Sequence, residues 1–132
     1  MAAVAKSGTP SLSSPLPPPS DKISGLVAGE ALGAFDACHI KSDGKVWKST
    51  GAAANAAAKV HGYASQAVGA NEAVTLWLDV SVRYGAGLTP GADLFLSGTT
   101  AGGLDTAAST GGTAPIGHCI DATRVRLYRS RY

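Results

Sequence analysis

Residues 72–84, Glu72-Ala-Val-Thr-Leu-Trp-Leu-Asp-Val-Ser-Val-Arg-Tyr84, alternate without a break. On an extended chain Val74, Leu76, Leu78, Val80, Val82 and Tyr84 fall on one face, and Thr75, Trp77, Asp79, Ser81 and Arg83 on the other, because successive side chains of a strand point to opposite sides. The spacing predicts one long half-buried strand over this stretch.

The flanking sequence repeats that logic in shorter pieces. Ala34–Lys41 and Lys45–Ser49 predict two strands joined at Ser42-Asp43-Gly44, where Asp-Gly supplies the turn chemistry of a tight hairpin. Val60–Ala67 predicts a further short strand. Thr89-Pro90-Gly91 places proline and then glycine as a type II turn requires, leading into Asp93–Ser97, and Gly98–Gly103 makes another turn before Leu104. After the small-residue connection Ala107–Thr113, Pro115–Asp121 and Thr123–Arg129 complete the chain, the last alternating Val125 and Leu127 against Arg124, Arg126 and Tyr128. The alanine-rich stretch 51–58 is too short to hold a helix without packing and is left unassigned. The expectation is an all-β fold, a small β-barrel or compact sandwich of about seven or eight short strands with Gly-rich turns.

Residues 1–20 differ in kind. They contain Pro10, Pro15 and Pro17-Pro18-Pro19, with little bulky apolar content beyond Val4, Leu12 and Leu16. Proline removes backbone donors and restricts itself and its neighbour to extended geometry. The expected organisation is therefore an extended N-terminal arm over 1–20 and a β-rich domain over 21–132.

Composition bounds the rest. With 132 residues, 15% of them charged and a formal net charge of +2, one modest core is the limit, and the charge is too small to drive non-specific attraction to nucleic acid. Two cysteines, Cys38 and Cys119, are too few for a disulfide scaffold. With no leader of the secretory kind, the expected compartment is reducing and cytosolic. The longest apolar run, Val74–Val82, is interrupted by Thr75, Asp79 and Ser81 and is too short to cross a bilayer. No association with a membrane is expected.

Signatures of chemistry are sparse. The chain carries no G-x-S-x-G, G-x-x-x-x-G-K-[ST] or H-E-x-x-H, so no catalytic residue is assigned and no enzymatic activity is expected. Cys38-His39 and His118-Cys119 are the only neighbours that suggest a metal. Adjacent strand residues face opposite ways, so neither pair easily holds one ion. No metal and no cofactor are expected, and the cysteines are taken as buried thiols. The aspartates sit mostly at strand ends and turns, where they cap backbone donors. Trp47 and Trp77 lie opposite the main aliphatic face, which means either a sheet covered on both sides or contact with another subunit. Arg124, Arg126, Arg129 and Arg131 form a basic stripe suited to an acidic protein surface or to solvent, with nucleic acid as a further reading and no direct nucleic-acid partner expected.

The order of the phrases Gly25–Ile40, Asp43-Gly-Lys-Val46, Gly62-Tyr-Ala64, Gly87-Leu-Thr-Pro-Gly91, Leu94-Phe-Leu-Ser97, Thr100-Ala-Gly-Gly-Leu104 and Pro115–Arg126 resembles the small capsid decoration, or cement, proteins of tailed bacteriophages, over about residues 22–128. The resemblance implies a structural protein on the outer surface of the virion capsid, made in the host bacterial cytoplasm. It also implies a homotrimer that stabilises the shell by clamping neighbouring major capsid subunits. The arm, with Val4, Pro10, Leu12, Pro15, Leu16, Pro17, Pro18 and Pro19, would be the principal capsid contact, and Trp47, Trp77, Arg124, Arg126 and Arg129 further interface positions. The same turn phrases suit a head-fibre or tail-associated β module. A small β-barrel enzyme or ligand-binding domain is the rival of another class, favoured by any pocket that joins His39, His61 or His118 to a carboxylate.

Overall fold

The alternating stretch 72–84 is divided between two sheets. Ala73–Trp77 and Val80–Arg83 are separate strands, with a bend at Leu78 and Asp79. Leu76 and Trp77 are both buried, so the alternation fails where the chain leaves one core for the other. Val74 and Leu76 fill the first core, while Val80, Val82 and Tyr84 fill the second. The single long strand is corrected to two, because one alternating face serves two different interiors.

The computed structural model describes residues 3–13 and 22–130. The chain is all-β: β1 Ala3–Val4, β2 Ser11–Leu12, β3 Lys22–Val27, β4 Ala37–Ile40, β5 Val46–Lys48, β6 Gly62–Ala64, β7 Ala73–Trp77, β8 Val80–Arg83, β9 Asp93–Leu96, β10 Leu104–Asp105, β11 Gly117–Cys119 and β12 Arg124–Leu127. This exceeds the expected seven or eight, because the strand at 72–84 splits and residues 3–12 and 22–27 also join sheets. A curled seven-stranded sheet runs β1-β10-β9-β11-β12-β8-β2, and a five-stranded sheet runs β3-β7-β6-β4-β5; every ladder between named strands in both is antiparallel.

The turns form where their residues require. Gly44, at φ 82°, closes the hairpin between β4 and β5, and Lys45 N donates to Asp43 Oδ1 at 2.8 Å. Gly91, at φ 80°, occupies the left-handed position after Pro90, and Ala92 N donates to Thr89 O at 3.1 Å. The alanine-rich loop ends in a short 3-10 turn, Ala56–Ala58, capped by the Asn55 side chain, and buries Ala58.

Two interiors result. The larger lies inside the seven-stranded sheet around Tyr84, Leu94, Leu96, Ile116, Val125 and Leu127; the smaller lies against the five-stranded sheet around Ala28, Leu32, Cys38, Val46 and Leu76. Tyr63 joins them: from β6 its buried hydroxyl reaches Ile116 O at 3.1 Å and Tyr128 O at 2.9 Å, beside the two ends of the β11–β12 hairpin. The hydroxyl has one proton for two acceptors, so it donates to one at a time. Burial pushes its ionisation well above the ordinary phenol value, so the group stays a neutral donor.

The N-terminal arm is corrected as far as it is described. Residues 3–13 are extended, as their composition predicts, but they belong to this chain's own sheet. Val4 and Leu12 pack on the larger core and Pro10 is buried. The physical reason is edge satisfaction: β8 and β10 would otherwise present open hydrogen-bonding edges. The expectations placed on Pro15, Leu16, Pro17, Pro18 and Pro19 lie outside the described residues.

Candidate functional site

Both outer strands of the seven-stranded sheet, β1 and β2, come from one segment, residues 3–12. This strap pairs Ala3 and Val4 with Asp105 and Leu104 at one edge. It then crosses to pair Ser11 and Leu12 with Arg83 and Val82 at the other. Ser7 N donates to Tyr84 O and Ser13 N to Ser81 O, each at 2.9 Å, so contact with β8 continues on either side of a bend at Gly8, whose φ is 69°. Gly85 lets the strap come close, since a Cβ there would stand 3.0 Å from Ala5 O.

One ion pair fastens the strap. Lys6 Nζ meets Asp36 Oδ1 at 2.5 Å, the lysine 27% and the aspartate 8% exposed. Asp36 Oδ2 accepts from Gly33 N at 2.7 Å, and Lys48 Nζ stands 3.9 Å away. The carboxylate therefore meets the strap, the segment entering β4, and the end of β5. A turn-capping role for Asp36 follows from sequence; its partnership with Lys6 does not, because 30 positions separate the two. The signal available was only a lone lysine in an otherwise uncharged arm.

The seat is thinly filled around β1. A hollow of about 610 Å³ lies on one side of Ala3–Ala5, against Leu88, Thr89, Ala92 and Cys119. Another of about 330 Å³ lies against Asp36, Tyr84 and Leu104. Residues of Leu88–Ser97 and Thr99–Leu104 build much of this seat.

The other interface candidates are placed as follows. Trp77 is 8% exposed and packed in the larger core, with Lys22 Nζ 5.8 Å from its ring centroid. Of the two placements its spacing allowed, a sheet covered on both sides or contact with another subunit, burial by its own chain matches the first. Trp47 is half-buried: one side packs on Gly29, where a Cβ would come within 2.3 Å of the indole, and Lys41 Nζ lies 4.0 Å from the ring centroid. Its Nε1 donates to Asp43 at 3.3 Å.

The arginine stripe lies on the outer face of β12 and just beyond it, with each residue engaged locally. Arg124 Nε meets Asp121 at 2.7 Å, Arg126 Nη1 donates to Ser81 Oγ at 3.1 Å, and Arg129 Nε stands 3.9 Å from Asp79. Hydrogen bonds from Thr123 N, the Arg124 side chain and Arg124 N hold Asp121 well below the usual carboxylate range. This pairing removes much of the uncompensated charge that a phosphate backbone would require.

The Cys-His neighbours separate as strand geometry requires. Cys38 faces the smaller core and Cys119 the larger; both are free thiols. Burial, and then Asp36, push the Cys38 thiol up to about 12. Among the described residues no three His, Cys, Asp or Glu side chains stand together as a metal site. No helix among them is long and apolar enough to cross a membrane.

One polar cleft joins a histidine to a carboxylate. About 480 Å³ in volume, it is lined by Ile40, His61, Asp79, Tyr128, Arg129 and Ser130, among others. Ile40 N donates to His61 Nδ1 at 2.9 Å, which leaves the proton of the neutral ring on Nε2. Desolvation, and then Lys59, hold His61 below its ordinary value.

Comparison with protein-family models, with curated proteins and with solved structures finds no match to this chain.

Proposed function

We propose that this chain is a non-enzymatic structural protein that binds the outer surface of a phage capsid as a trimer and stabilises the shell by clamping neighbouring major capsid subunits. The observation that carries the reading is the strap: a preformed extended segment held by two short ladders and one partly exposed ion pair. Such a segment already has the hydrogen-bonding pattern that strand addition uses. It also opens at lower cost than a strand inside a sheet. Two of the phrases resembling decoration proteins, Leu88–Ser97 and Thr99–Leu104, contribute to the strap's seat, which relates the resemblance to the same element.

A clamp of this kind works through number. Each bound copy adds interface that must break before capsomers part, and trimerisation multiplies modest contacts through effective concentration. Arg124, Arg126 and the exposed Arg129 form a second candidate contact, one in which an acidic shell surface competes with their local partners Asp121, Ser81 and Asp79.

Co-sedimentation with mature heads of the phage or prophage encoding the chain tests the reading. Saturable binding, together with greater resistance of the loaded shells to heat, is the expected result. Shells that neither bind the protein nor gain stability would overturn it, and binding confined to tails or fibres would move the module there.

A second reading rests on the cleft containing His61 and Asp79: a ligand-binding domain. Saturable ligand-induced NMR shifts confined to the residues around His61, lost in His61→Ala, would favour it over decoration.

A further inference from the structure

We infer that the strap is exchangeable between copies, residues 3–13 of one chain seating in the gap between β8 and β10 of a second copy. The inference deepens the proposed clamp by naming the strap's partner, and it rests on that reading only for its role on a shell.

The contacts are conserved under exchange. Among the described residues, the bonds that fasten the strap join residues 3–13 to residues 22–130: the ladders to β10 and β8, the Ser7 and Ser13 amides to Tyr84 O and Ser81 O, and Lys6 to Asp36. A second copy offers the same acceptors in the same register. Closed monomer and exchanged assembly thus share contacts, and concentration and the connecting chain decide between them.

The seat suits a strand that leaves and returns. Ala3, Ala5, Ser7, Thr9 and Ser11 face solvent, while hollows of about 610 and 330 Å³ flank the first of the two ladders. Little packing must therefore be undone at that end. Removing the strap bares backbone groups along both edges of one sheet, and an emptied seat is restored only by a strand of matching pattern and a cation for Asp36. A copy of the same segment supplies both.

Eight residues, 14–21, join the strap to β3 and include Pro15, Pro17, Pro18 and Pro19; exchange of a terminal strand through a short connecting segment is a low-cost route to oligomers. Exchange that passes on from copy to copy closes a ring if the rotation allows, and a trimer is one such ring.

The test uses the register Ser11↔Arg83, an exposed pair facing each other across the β2–β8 ladder. Ser11→Cys and Arg83→Cys are made as separate full-length variants, mixed in denaturant, refolded together at high concentration and oxidised. The native thiols are buried, and peptide mapping distinguishes them from the introduced ones. The expected result is a covalent species linking positions 11 and 83 of different chains, abundant in the mixture and absent from either variant refolded alone. The double variant Ser11→Cys/Arg83→Cys controls for folding. If it closes its disulfide within one chain while the mixture yields no 11-to-83 interchain link at any concentration, exchange is overturned. No capsid is required, so loss of exchange and loss of capsid binding are separately visible.

Discussion

Each sheet is closed by chain lying N-terminal to its other strands, but the two closures are built differently. In the five-stranded sheet, β3 pairs with β7 from Lys22↔Trp77 to Val27↔Ala73. The same run of chain then carries Ala28 alongside Val46 of β5. Gly29 N donates to Val46 O at 2.8 Å, and Ala28 and Leu32 are buried at once. In the seven-stranded sheet the closing segment touches its two edges through separate two-residue ladders and buries Val4 and Leu12 only in part. The first closure is continuous with the core it seals. The second rests on its core through the partly buried Val4 and Leu12 and the buried Pro10, and it is the one that carries the proposed function.

The largest test of that difference compares two leucines. Leu76→Ala, at a fully buried position in the five-stranded sheet, is expected to cost about 2–5 kcal/mol. Leu12→Ala, at a half-buried position in the strap, should cost about 1 kcal/mol. Urea unfolding midpoints measure both, and equal losses would erase the distinction.

A smaller effect concerns the latch. Lys6→Ala leaves the Asp36 carboxylate with Gly33 N and the more distant Lys48. Because Lys6 is 27% exposed, the expected loss is only about 1 kcal/mol, about fivefold in exchange protection. Hydrogen exchange at the Ser7 and Ser13 amides is the readout, with Val74 and Leu76 unchanged. A uniform loss across both sheets would mean that the strap unfolds with the body.

The smallest effect is acid sensitivity, which should separate the halves. Desolvation holds His39 and His61, both beside the five-stranded sheet, below the ordinary imidazole value. The unfolded chain therefore takes up these protons first as pH falls. The stability they confer is present above about 6.5 and is lost as pH drops from there toward the lowered folded values. Asp121, in the turn between β11 and β12, is depressed instead. Its contribution is complete above the unfolded carboxylate value of about 3.9 and disappears only in stronger acid. Trp47 and Trp77 both belong to the five-stranded sheet. Their fluorescence, recorded through thermal melts at successive pH values, should report the histidine window, and His61→Asn should flatten it.

Sequence alone determined what nearest neighbours control. Alternation at 72–84 marked Val74, Leu76, Val80, Val82 and Tyr84 as inward, Asp43-Gly44 and Pro90-Gly91 fixed their turns, and the prolines of the first twenty residues marked a different kind of chain. Each follows from backbone stereochemistry or from side chains a few positions apart. The tertiary structure alone decided that the inward residues serve two interiors, that Trp77 is core, that Lys6 meets Asp36 and that residues 3–13 close their own sheet. Those outcomes depend on which open edge lies within reach once the body has curled, a property of the assembled surface that no local spacing encodes.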